Sequence, residues 1–158
     1  MTANVVFDPV DKTNVQRLRE LNLQLFPVRY NLAFYKEVVS APLGYAQLAS
    51  VGGFAVGAIC CRREPVEELE GVERTYIMTL GVLETYRRAG IGTRLLEGVI
   101  AQSIQDGVVQ VYLHVQTSNT AALRFYRSHG FEVTQILRDY YKRLEPPDCY
   151  VLRRQLTP

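Results

Sequence analysis

The segment Arg87-Arg88-Ala89-Gly90-Ile91-Gly92-Thr93 sets two arginines and two glycines at the entrance of an apolar run with helical spacing. Small residues at a helix entrance let backbone N–H groups approach an anion, and the helix N-terminus adds partial positive charge. A pyrophosphate suits that description, with Arg87 and Arg88 available for phosphate contacts. The same spacing also describes an ordinary glycine-rich helix entrance, so the segment by itself leaves both readings open. Other chemistry-bearing side chains sit in β-rich runs. Tyr76 and Met78 alternate with apolar residues over 72–82, and Tyr112 and His114 alternate with Val111, Leu113 and Val115. Histidine exchanges protons near neutral pH, but a strand Tyr or His also serves as a cross-strand packing partner. Cys60, Cys61 and Cys149 lack CxxC spacing and read as buried free thiols, and no residue cluster implies a metal.

These residues can act only if the intervening chain places them. Asn4 to Asp8 reads as a short first strand. Thr13-Asn14-Val15-Gln16 has capping-box spacing, and Val15, Leu18, Leu21, Asn22 and Leu25 predict a helix from about 14 to 25. Pro27 cannot continue it, and Asn31 can cap a second short helix through Phe34, Val38 and Val39. Residues 45–51 and 54–62 read as a hairpin around Gly52-Gly53. After the acidic loop Glu64 to Gly71, the β-rich run over 72–82 places Arg74, Tyr76, Met78 and Leu80 on one face. Leu95, Leu96, Val99, Ile100 and Ile104 then form a helical stripe, with Gly107 as its stop. A strand over 108–115 precedes a helix capped by Ser118 or Asn119, which carries Leu123, Phe125 and Tyr126 and ends near Gly130. Strands at 131–137 and 149–154 complete the order β-α-α-β-β-β-α-β-α-β-β. The class is α+β (mixed α/β), with a central, mostly antiparallel twisted sheet flanked by helices.

At 158 residues, with no repeat, low-complexity tract or linker, residues 1–158 read as a single domain. Charge balance is +2 without a long basic block, which gives no reason to expect nucleic acid or an anionic membrane as partner. The start Met1-Thr2-Ala3 lacks a basic stretch leading into a longer apolar run, and no segment approaches about 20 apolar residues. The expectation is an intracellular protein that does not span a membrane.

Arg87, Gly90 and Gly92 match the pyrophosphate loop of the GNAT superfamily without a gap. Asn119-Thr120-Ala121-Ala122-Leu123-Arg124-Phe125-Tyr126, followed by His129-Gly130-Phe131, resembles that superfamily's second signature. Phe26-Pro27-Val28-Arg29-Tyr30, Tyr76-Ile77-Met78-Thr79-Leu80-Gly81, Tyr112-Leu113-His114-Val115 and Tyr140-Tyr141 resemble the NatE-type (San-like) catalytic subunits over nearly the whole chain. Departures from that family are Leu32, where a polar residue is expected, the loop Pro65 to Gly71, and the end at Pro158 without a polar tail.

The resemblance implies a GNAT fold and transfer of acetyl from acetyl-CoA, without a metal, to the α-amine of protein N-termini, preferring Met followed by an apolar residue. It implies direct attack assisted by Tyr76 and His114 through an ordered water, with Tyr126 near the thioester as a proton donor to the departing thiolate. Cofactor contacts fall on Leu80, Gly81, Val82, Arg87, Arg88, Ala89, Gly90, Ile91, Gly92, Thr93, Asn119 and Tyr126. The backbone at Leu80 to Val82 is expected to pair with the pantetheine arm and polarise the thioester carbonyl. Phe26, Pro27, Val28, Tyr30, Met78, Tyr140 and Tyr141 are implied as the peptide cleft, and His129 is read as a helix-end residue beside the dipole. The implied partners are N-terminal peptides, the NatA complex and the ribosome, in the cytoplasm and also the nucleus. Two other functions share the cofactor half: acetylation of lysines or small amines, and a weakly active acetyl-CoA-binding scaffold subunit.

Overall fold

Residues 4–156 are described by a computed structural model; the Met1–Ala3 start and the Pro158 end, on which the readings about a leader and a polar tail fall, lie outside the described residues. The elements follow the expected order: β1 (Val5–Pro9), α1 (Val15–Leu25), α2 (Leu32–Val39), β2 (Ala46–Val51), β3 (Phe54–Pro65), β4 (Glu73–Val82), α3 (Ile91–Gln105), β5 (Gln110–Gln116), α4 (Thr120–Ser128), β6 (Glu132–Leu137) and β7 (Cys149–Gln155). A single 3₁₀ turn, Glu84–Tyr86, joins β4 to the loop before α3. The strands form one seven-stranded sheet in the order β1-β2-β3-β4-β5-β7-β6. All neighbours are antiparallel except β4 and β5.

Each face of the sheet buries its own core. Leu18 and Leu21 of α1 and Tyr35 and Val38 of α2 pack on Leu48, Ala58 and Cys60. On the opposite face Leu95, Leu96, Val99 and Ile100 of α3 and Tyr126 of α4 pack on Ile59, Cys61, Ile77, Val111, Leu113 and Val115. The adjacent thiols of Cys60 and Cys61 thus enter different cores, both buried and free.

Two local features adapt this sheet to a site. The first is an irregularity between β3 and β4: Cys61 pairs with Ile77 and Cys60 with Thr79, which leaves Met78 as an extra residue on β4. A bulge of this kind shifts the alternation of every residue beyond it. Tyr76 and Met78 therefore lie on the α1/α2 face, whereas Leu80 and Val82 pack toward the α3/α4 core. This corrects the expectation that Leu80 shares a face with Tyr76, which rested on an unbroken period of two. The second is the parallel pairing of β4 with β5, which comprises only Thr75↔Val111 and Tyr76↔Tyr112. Past Tyr76 the strands part, and the β5-facing backbone of β4 from Met78 to Val82 has no strand partner.

Two smaller expectations also change. Ile104 is 53% exposed, and Ser103 takes the buried position on α3 instead, because a stripe through Leu96, Val99 and Ile100 continues at 103. At the start of α1 the capping box does not form. Asp11 Oδ1 accepts from the backbone N–H groups of Thr13 and Asn14 and from the Thr13 hydroxyl, so that hydroxyl turns away from the helix. Asn31 Oδ1 does cap α2, accepting from Phe34 N–H at 3.0 Å.

Ser103 Oγ lies 2.8 Å from Thr75 Oγ1, and both residues are completely buried where α3 crosses β4. Ser103→Ala leaves the Thr75 hydroxyl without this partner and should cost about 1–3 kcal/mol. A urea midpoint equal to that of the parent protein would show that the bond carries no such weight.

Candidate functional site

The loop after β4 turns back on itself through Arg88 (φ +72°) and Gly90 (φ +77°), the latter being the N-cap of α3. Among the described residues no side chain caps this helix, so the N–H groups of its first turn, Ile91 to Thr93, face outward without intrahelical partners. Beside them is a cavity of about 720 Å³ with Leu80, Gly81 and Val82 on one wall and Asn119, Ala122, Phe125 and Tyr126 on another. Arg87, Arg88, Gly90, Ile91, Gly92 and Thr93 complete its electropositive, anion-binding end. Of the residues expected to hold the cofactor, Ala89 alone is absent from the lining; it is exposed between the two positive-φ residues.

Side-chain detail refines several of these positions. Arg87 Nε donates to Val82 carbonyl oxygen at 3.0 Å, tying the loop to the end of β4 while its other nitrogens remain available. Asn119 caps α4 by accepting from Ala122 N–H at 3.1 Å. Burial holds the Tyr126 phenol well above its ordinary value, so it stays protonated at neutral pH. Tyr86, Ala121, Ala122 and Phe125 also line the cavity and were missed by the sequence reading. Ala122 could have been found, because a helix that presents Tyr126 also presents the residue four before it.

The opposite face carries an aromatic group. Tyr76 Oη and His114 Nδ1 are 2.9 Å apart, within hydrogen-bond distance. Tyr140 stacks on the imidazole with centroids 4.7 Å apart, and its hydroxyl is 3.4 Å from the same nitrogen. Burial, then the neighbouring Tyr140, keeps the Tyr76 phenol well above its usual range. Burial, then the charge of Arg153, moves His114 below its usual value, which keeps the imidazole neutral at pH 7. His129, by contrast, is the C-cap of α4, with Nε2 at 3.2 Å from Thr93 Oγ1.

A cleft opens beside this pair. Phe26 meets Tyr30 edge-on at 6.0 Å, Tyr30 stacks on Phe34 at 4.5 Å, and Pro27 and Val28 are exposed on the connecting loop. Phe26 also lies against β4, since a Cβ on Gly81 would come within 3.1 Å of its ring. Met78 faces this side, its sulfur accepting from Arg62 Nη2 at 3.4 Å. Tyr141 meets Tyr140 edge-on, and burial, with smaller contributions from Cys149, Tyr140 and Tyr30, pushes its phenol up to about 12. Cavity and cleft thus meet across β4, one on each face of the sheet.

Residues 15–131 match the acetyltransferase (GNAT) family. The chain belongs to this family. As a GNAT protein it is similar over 99% of its length to N-alpha-acetyltransferase 50 of Danio rerio, at 43% identity and with 91% of that protein covered. The probable N-acetyltransferase san of Drosophila melanogaster is 41% identical, over 98% of this chain and 82% of that one. Among solved structures, Arabidopsis thaliana Naa50 in complex with the bisubstrate analogue CoA-Ac-MVNAL superposes with a TM-score of 0.87 at 44% identity, covering 95% of this chain and 97% of that chain. The NatC complex bound to Gag peptide and CoA includes a chain that is 21% identical, a likeness of fold alone.

GNAT enzymes use acetyl-CoA, and the cavity suits that ligand on its own terms: unpaired helix N–H groups for a pyrophosphate, two arginines at the same end, and an unpaired strand edge along the wall. Gly92 shows how close the fit is. A Cβ there would meet Phe125 and Val82 at 3.7–3.8 Å, ordinary contact distances, so the protein tolerates it but the cavity narrows. Gly92→Val should therefore fold normally and weaken acetyl-CoA binding tenfold or more, on the order of 1.4 kcal/mol. Calorimetry that returned the parental affinity would place the pyrophosphate elsewhere.

Proposed function

We propose that this protein transfers acetyl from acetyl-CoA to the α-amine of proteins beginning with Met followed by an apolar residue, with residues 1–158 acting as one domain. The observation that carries the reading is the Tyr76–His114 contact beside the cleft, on the strand whose later residues, Leu80 to Val82, wall the cavity. When bound, acetyl-CoA supplies an activated acetyl thioester. Arg87, Arg88 and the first turn of α3 hold its phosphates, and the unpaired edge of β4 at Leu80 to Val82 aligns its pantetheine arm and hydrogen-bonds the acetyl carbonyl.

An α-ammonium group has a reference pKa of about 7.7–8.0, so a substantial neutral fraction exists near pH 7 and a weak base completes the proton transfer. His114 is that base. Tyr76, held as a protonated phenol, donates to Nδ1; as the amine forms its new C–N bond, Tyr76 Oη takes the amine's proton and passes its own to Nδ1. The direct contact supports this passage of a proton from Tyr76 to His114. Tyr126 faces the sulfur from the opposite wall. A thiol with pKa about 8.5 is a stronger acid than a buried phenol, so Tyr126 hydrogen-bonds the departing thiolate and keeps its own proton.

Selection of the acceptor falls to the cleft. Phe26, Pro27, Val28 and Met78 surround the first side chains, and the hydroxyls of Tyr30, Tyr140 and Tyr141 hold the peptide backbone. The analogue bound to the Arabidopsis protein carries a peptide beginning Met-Val, which supports an apolar second residue. A lysine or small-amine enzyme has no need of this aromatic enclosure. Association with NatA subunits and the ribosome, in cytoplasm and nucleus, follows from family resemblance alone.

Tyr76→Phe and His114→Ala should each lower kcat roughly 10²-fold or more, with little change in acetyl-CoA affinity. Folded variants that kept parental turnover with chemistry limiting would remove the pair from the mechanism. On the acceptor side, burying a Met side chain contributes about 1.5–3 kcal/mol, enough for roughly tenfold to hundredfold preference for Met-Leu over Ser-Glu peptides. Phe26→Ala should erode that preference; equal kcat/KM for the two peptides with the parent enzyme would reject the N-terminal reading.

A further inference from the structure

Tyr112 stands beside the Tyr76–His114 pair, and the nearby charges gather around its ring. Arg153 is its register partner on β7, with the guanidinium carbon 5.2 Å from the ring centroid. The corresponding carbon of Arg74 is 4.5 Å away. The Tyr112 hydroxyl donates to the carboxylate of Glu64, which also meets Arg74 Nε at 3.2 Å and Arg62 Nη1 at 3.8 Å. Arg62 in turn lies 5.5 Å from the centroid of Tyr76, whose ring is 4.8 Å from that of Tyr112. His114 pairs across to Val151, so Arg153 occupies the diagonal position on the same face, a separation of roughly 7–8 Å for neighbouring strands. The other titratable groups facing the imidazole are the phenols of Tyr76, Tyr112 and Tyr140. The charged surroundings of His114 are therefore the guanidinium groups of Arg62, Arg74 and Arg153 and the carboxylate of Glu64, with Arg62 also paired to Glu37 at 3.0 Å, in a half-buried region where screening by solvent is reduced.

We propose that Arg153 and Glu64 are opposed positioning residues that set how readily His114 takes a proton, the cation discouraging the imidazolium and the carboxylate favouring it, with Tyr112 fixed between them. This rests on the acetyltransfer reading above, in which His114 Nδ1 is the final proton acceptor. Arg153 keeps Nδ1 unprotonated, as the acceptor of the Tyr76 hydroxyl, before reaction and repels the proton afterwards, so that it is lost to solvent before the next turnover. Glu64 limits that effect, since a base weakened too far no longer accepts the amine's proton. The same carboxylate holds the Tyr112 ring upright against Tyr76. The direction of the His114 shift agrees: burial lowers it most, Arg153 lowers it further, and Glu64 opposes both.

The chain contains two histidines, so an NMR titration of the imidazole protons follows His114 directly, the signal lost in His114→Ala identifying it. Removing a cation stabilises the imidazolium, so Arg153→Gln should move the His114 titration to higher pH. Removing the carboxylate has the opposite sign, so Glu64→Gln should move it to lower pH. Arg153→Lys retains the charge without the planar group and should titrate as the parent does. The acid limb of kcat/KM for a Met-Leu peptide should follow the same directions. Parental titration in both glutamine variants, or shifts of the same sign, would overturn the proposal. If Glu64→Gln does not fold, the comparison of Arg153→Gln with Arg153→Lys decides alone, and identical titrations overturn it. A parent protein that titrates as described yet acetylates no peptide would instead overturn the acetyltransfer reading.

Discussion

The site depends on a break in strand periodicity at Met78. One extra residue on β4 turns Tyr76 toward α1 and α2 and turns Leu80 and Val82 toward α3 and α4. Without the bulge, Tyr76 and Leu80 would share a face, and the proton-handling pair would lie on the same side as the backbone that lines the cavity. The parting of β4 from β5 after Tyr76 then opens a passage through the sheet at that level. The cavity and the aromatic cleft thus lie against the same stretch of β4 from opposite faces. Unpaired strand backbone is costly when buried, and here it faces a cavity, where a bound partner can satisfy it.

Gly81 and Phe26 show how tightly the two surfaces are coupled. Any side chain at Gly81 would come within 2.8 Å of Leu25 and 3.1 Å of Phe26, so the end of α1 rests on bare backbone. Phe26 belongs to the cleft while the residues flanking Gly81 belong to the cavity. In the proposed reading, an acceptor side chain packed on Phe26 would lie against the same strand that walls the cavity. Substrate selection and chemistry share a backbone segment, which makes binding energy at the cleft available for orienting the amine.

Much of this was legible in the sequence, because most elements declare themselves locally. The element order follows from apolar period, the Gly52-Gly53 turn, the Asn31 and Asn119 caps and the glycine stops, all short-range signals. The entrance Arg87 to Thr93 was visible as a contiguous motif, and the family resemblance gave Leu80 to Val82, Asn119 and Tyr126 their place in the cavity. The bulge was not, since an inserted residue leaves no mark in a run that is apolar on both sides of it. Nor was the substitution of Ser103 for Ile104 on the buried stripe, where a hydrogen bond to Thr75 outweighs the hydrophobicity of the neighbouring position. Asp11 likewise pre-empted the capping box because its Oδ1 takes the Thr13 N–H that Gln16 would reach and the Thr13 hydroxyl that would cap the helix.

The charged group around Tyr112 was illegible for a different reason. Glu64 and Tyr112 are separated by 48 residues, and only the sheet order brings β3, β4, β5 and β7 into adjacent rows. Each member taken singly is an ordinary strand arginine or loop-edge glutamate. Assembled, the carboxylate joins Arg62, Arg74 and the Tyr112 hydroxyl at one point, so its position is determined by three partners from two strands besides its own. A charge held in this way keeps a fixed distance from His114, whereas a solvated side chain would average its influence over many rotamers. Sheet register thus does for electrostatics what the bulge does for geometry: it fixes the surroundings of the Tyr76–His114 pair before any substrate arrives, which is the condition under which a fixed charge can favour one protonation state over another.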